Sequence, residues 1–197
     1  MTIIYILAIL VQLGIIIYFV RRGKIKSRVP SEKNDATCTY EGLRNLAVSV
    51  TPEQLKLTIP GSTTLVYGVI MDWNLNESVM TLAAYITGAA SMYLSTGEGI
   101  SGGGKDPEVG EAAVAFVVAA QEFIGRAMPV DATDLPPKGC IRFYLLTNKG
   151  RYAAQEQMIH FEDNTSPWLG LFELGSEVIG KIRKIGNGQF TGKVLLQ

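Results

Sequence analysis

Five glycines fall within residues 97–104, and the stretch STGEGISGGGKDPEV that contains them ends its glycine run on Lys105. Glycine at this density loses chain entropy on ordering, so it marks positive φ angles or the close approach of a backbone or ligand. Gly99, Gly104 and Lys105 occupy the two glycine positions and the lysine position of a phosphate-binding loop. The next position breaks the pattern, because Asp106 stands where a magnesium-binding Ser or Thr belongs, and Pro107 follows it. An aspartate at a helix N-terminus occupies the free amides that a phosphate would use, and it repels the phosphate. Two readings follow. One is a structural turn. The other is contact with a ligand or partner through Ser95, Thr96, Gly97, Gly99, Gly102, Gly103, Gly104 and Lys105.

Other reactive residue types are sparse. Asp72 ends an apolar run, and Asp72-Trp73-Asn74 suits turn initiation better than a metal or base role. His160 is the only histidine, and no HxxxH, CxxC or nucleophile-elbow pattern accompanies it. Cys38 and Cys140 are the only cysteines, and their spacing matches neither a disulfide framework nor a metal site. No metal and no cofactor are expected. Tyr67, Tyr85, Tyr93, Tyr144 and Tyr152 all fall in expected strands. On a sheet face without helices, such rings make a rigid contact surface for a partner or second copy; otherwise they reflect β-propensity alone.

The charge balance separates two regions. Arg21, Arg22, Lys24, Lys26 and Arg28 precede any acidic residue and leave 13 basic against 18 acidic residues after position 28. A domain with that balance lacks the basic stripe that nucleic acid requires. Residues 2–20 read TIIYILAILVQLGIIIYFV, without a charge. As a helix this run spans ~28 Å against a hydrocarbon core of ~30 Å, so residues 1–20 are expected to be a transmembrane anchor. The basic cluster follows the apolar run and none precedes it, which places the N-terminus outside and the C-terminal domain in the cytoplasm. Gln12, near the middle of the span, either bonds to a second membrane helix or is tolerated alone. The bilayer is thus one expected partner, and a homo-oligomer or membrane complex another.

Residues 21–39 are polar and charged and read as a linker. The soluble domain spans 40–185, with a tail at 186–197 that hangs loose or adds a strand at 193–196. A short helix is expected at 40–48, followed by strands at 64–73, 79–86 and 90–95 in an antiparallel meander. Asp106 and Pro107 begin a buried helix running to about Arg126, whose apolar residues repeat at helical spacing. A loop at 129–139 leads to a hairpin of strands at 140–147 and 151–159, then a helix at 167–184 capped by Ser166. This order predicts a two-layer α+β domain: an antiparallel sheet of about five strands with helices mainly on one face, in the general style of profilin-like and roadblock-like modules.

Residues 69–72, the run ASMYLSTGEGISGGG ending at Gly104, the strand IRFYLLTNKG at 141–150 and the final helix resemble an uncharacterised family of small bacterial proteins. Members carry an STGGG-x-x-GGG-like loop after a meander and a later strand like VRFYLLT; the similarity covers roughly residues 66–183. Glu98 interrupts the glycine run here, a departure from the family pattern. The resemblance implies a bacterial source and one domain, and no activity. The expected function is therefore a membrane-tethered, non-enzymatic interaction or assembly module. The alternative is a ligand-binding or enzymatic domain that uses residues 97–104 for a phosphate-bearing small molecule.

Overall fold

The computed structural model describes residues 39–97, 99–101 and 106–185. The expected anchor with Gln12, the cluster Arg21 to Arg28, Cys38, the loop residues Gly102 to Lys105 and the tail lie outside the described residues. Among the described residues no helix is long and apolar enough to cross a membrane.

One sheet organises the domain. Strands β1 (Val66–Asn74), β2 (Val79–Tyr85), β3 (Ala90–Leu94), β4 (Gly99–Ser101), β5 (Met128–Val130), β6 (Cys140–Thr147) and β7 (Gly150–Gln157) form the order β4-β3-β2-β1-β6-β7-β5. Neighbouring strands pair antiparallel throughout. The α+β class and the meander match the sequence expectation. The strand number does not, since seven form where about five were expected. The additional two, β4 and β5, are three-residue edge strands, GIS and MPV, too short to carry a period of two and containing residues that ordinarily interrupt strands.

Burial on both faces explains why β1 reads as a continuous apolar run instead of an alternating one. Its side chains at Val69, Met71 and Trp73 enter one core, while Ile70 enters a second core on the opposite face. The first core lies under α2 (Pro107–Ala120) and α4 (Leu169–Ile185). Trp168 stacks on Phe143 with ring centroids 5.7 Å apart, and Trp73 meets Phe172 edge to face at 5.4 Å. Gly175 permits the close seating of α4, because a Cβ there would lie 3.0 Å from Met71 Sδ and 3.2 Å from Phe116 Cζ. α4 begins at Leu169, two residues later than expected, and Ser166 Oγ accepts from the Trp168 amide at 3.1 Å in the turn that leads into it.

Local endings depart from the sequence pattern. The helix expected to reach Arg126 tightens after Ala120 into a 3-10 segment, Gln121–Arg126. Gln121 then accepts from the Val66 amide at 2.9 Å and donates to Thr64 O at 3.1 Å. The strand expected to reach 159 stops at Gln157 and gives way to the short helix α3 (Met158–Glu162), which carries His160.

The second difference in architecture decides what the site looks like. Helices were expected mainly on one face, but α1 (Tyr40–Val48) lies across the other. Thr39 caps it by accepting from the Gly42 amide at 3.1 Å. Leu43, Val50, Leu55, Leu57 and Ile59, from α1 and the chain that follows it, extend this cover. The domain therefore has three layers where two were expected.

Candidate functional site

The densest polar constellation among the described residues lies between α1 and the sheet. In α1, Tyr40, Leu43, Arg44, Ala47 and Val48 recur at helical spacing, which puts an arginine on an otherwise apolar stripe. Alternation along β1 puts Asp72 on the same face as Ile70. The two charges meet. Arg44 Nε donates to Asp72 Oδ1 and Oδ2 at 3.2 and 3.0 Å, and Nη2 donates to Oδ2 at 2.6 Å. Asp72 is fully buried, and the Arg44 side chain is only 6% exposed.

Two more groups complete the constellation. Thr81, opposite Asp72 in the β1–β2 register, donates to Asp72 Oδ1 at 2.5 Å. The Tyr40 hydroxyl lies 2.9 Å from Thr81 Oγ1. Below Arg44, the Tyr144 ring lies 5.7 Å from the guanidinium carbon, and its hydroxyl donates to Asp134 O at 2.5 Å. Burial lowers the affinity of Arg44 for its proton, but the hydrogen bonds and charge of Asp72 outweigh this and hold it above its ordinary value. Tyr40 is pushed up to about 12, mainly by burial, against the pull of the Thr81 bond. The site is thus a desolvated arginine–aspartate pair whose carboxylate also accepts from Thr81, which fastens a helix in one register.

The tyrosines surround this pair. Tyr67, Tyr85, Tyr93 and Tyr144 share the second core, beneath α1 and the chain after it. The Tyr85 hydroxyl donates to Ala47 O, and that of Tyr67 to Val50 O, both at 2.8 Å. Burial raises Tyr67, Tyr85 and Tyr93 above the ordinary phenol value. Tyr152 differs, facing the α2 and α4 side, where it is partly buried against the first core. The second face therefore gathers four of the five rings, as an aromatic surface would require, and α1 occupies it.

Of the glycine loop, Gly97 and Gly99–Ser101 are described, and the latter pair with β3 as β4. Ser95 Oγ accepts from the Val79 amide at 2.9 Å and the Ser95 amide donates to Val79 O, which closes the β2–β3 ladder. Thr96 and Gly97 are exposed, with Gly97 at φ +96°. Gly99 returns as β4 opposite Tyr93. Asp106 then caps α2, its Oδ1 accepting from the Glu108 and Val109 amides at 2.9 and 3.2 Å.

The remaining reactive groups are dispersed. Cys140 is a buried thiol at the start of β6, and His160 Nδ1 lies 2.6 Å from Glu156 Oε1 on the opposite side of the sheet from α1. Among the described residues no three His, Cys, Asp or Glu side chains cluster as metal ligands. An open groove of about 380 Å³ borders the pair's surroundings, lined by residues that include Asp134, Arg142, Tyr144 and Gln155. Arg142 is already engaged there, donating to Asp134 O at 2.9 Å and Gln155 Oε1 at 2.5 Å.

Sequence reasoning missed Arg44 and Thr81 and assigned Asp72 to a turn. The signal was present in two patterns that had to be read together: one cation on the apolar stripe of a short helix, and one anion inside an apolar strand. Comparison with protein-family models, with curated proteins and with solved structures gives no match to this chain.

Proposed function

We propose that the chain is a membrane-tethered interaction or assembly module of a bacterial cell, non-enzymatic and held at the cytoplasmic face of the inner membrane by residues 1–20. The observation that carries this reading is the use made of Arg44 and Asp72. Among the described residues the two buried charges, Arg44 and Asp72, face each other and fasten α1 over the tyrosines, so their role is to join elements. The apolar run at 2–20 with five basic residues behind it supports the tether and its direction. The four tyrosines of the second face are buried beneath α1 and the chain after it, so there they serve as the seat of this helix.

Phosphate binding at the glycine loop fits less well. The two N-terminal amides of α2 nearest the loop are already bonded to a carboxylate. A phosphate would have to displace Asp106 and overcome its charge.

The experiment is isolation of the full chain from membranes in mild detergent, followed by native mass spectrometry. The expected result is an oligomer or a stoichiometric complex recovered from the membrane fraction. A monomer without a partner, or a chain recovered from the soluble fraction, would sink the reading.

A further inference from the structure

We draw no further inference here: the strongest candidate, the open groove between the loop at 131–134 and strands β6 and β7, has its Arg142 guanidinium already bonded to Asp134 O and Gln155 Oε1 and its Tyr144 hydroxyl to Asp134 O, and nothing in the structure shows what covers it.

Discussion

Arg44 Nη2 and Asp72 Oδ2 lie 2.6 Å apart, both side chains buried, joining a helix and a strand 28 residues distant in the chain. Removing one partner strands the other charge, and a stranded buried charge costs ~3–5 kcal/mol. Arg44→Met should therefore destabilise the full chain by about that amount in denaturant titration. The double variant Arg44→Met with Asp72→Leu should recover most of the loss, because an apolar pair carries no desolvation penalty. A double variant as unstable as the single one would show that the pair's value is not electrostatic.

Gly68 and Tyr85 are matched by contact. A Cβ at 68 would lie 2.9 Å from Tyr85 Cδ1 and 3.2 Å from Leu146 Cδ1. Gly68→Ala should cost about 1–3 kcal/mol through overpacking and loosen the Tyr85 bond to Ala47 O. Thermal unfolding measures the first effect, and faster amide exchange in α1 the second.

Gly88 and Gly110 touch where the β2–β3 turn meets α2, yet the two should respond oppositely to alanine. Gly88 has φ +82°, and its Cβ would lie 3.3 Å from the Gly110 backbone. Gly88→Ala is expected to destabilise. At Gly110 a Cβ would come no nearer than 3.8 Å to Gly88 O, so Gly110→Ala should add about 1 kcal/mol from helix propensity. Paired denaturation curves of the two variants check the sign.

Stability should fall on the alkaline side. Tyr40, Tyr67, Tyr85 and Tyr93 are all raised above the ordinary value of 10.0, chiefly by burial, Tyr40 to about 12. A raised group binds its proton more tightly when folded, so its contribution is complete below pH 10 and lost as pH climbs from there through about 12. Denaturation midpoints should decline across that window, in step with tyrosinate absorbance. Tyr85→Phe should lose ~1 kcal/mol at neutral pH for its hydrogen bond, and decline less steeply above pH 10.

Asp106 tests the glycine loop. Asp106→Ala should remove about 1 kcal/mol of capping, and Asp106→Ser should retain most of it. The wild-type chain should show no thermal shift with nucleotides or sugar phosphates, whereas a bound ligand at a hundred times its dissociation constant would add ~2.7 kcal/mol. A shift that grows in Asp106→Ser would revive a phosphate site.

Residue pattern alone determined most elements of this chain. The apolar run of β1, the meander to β3, the α2 start at Asp106-Pro107, the β6–β7 hairpin and the Ser166 turn ahead of α4 are local signals, set by neighbours within a few positions. Tertiary structure decided the rest. β4 and β5 exist because longer strands offer them a ladder, not because GIS or MPV prefers extension. The path of α1 was equally hidden, since nine residues with one apolar stripe fit either face of a sheet. Asp72 shows the reason most plainly. As sequence it suits a turn after an apolar strand, and its burial becomes tolerable only when Arg44, Thr81 and Tyr40 converge from a helix and a second strand.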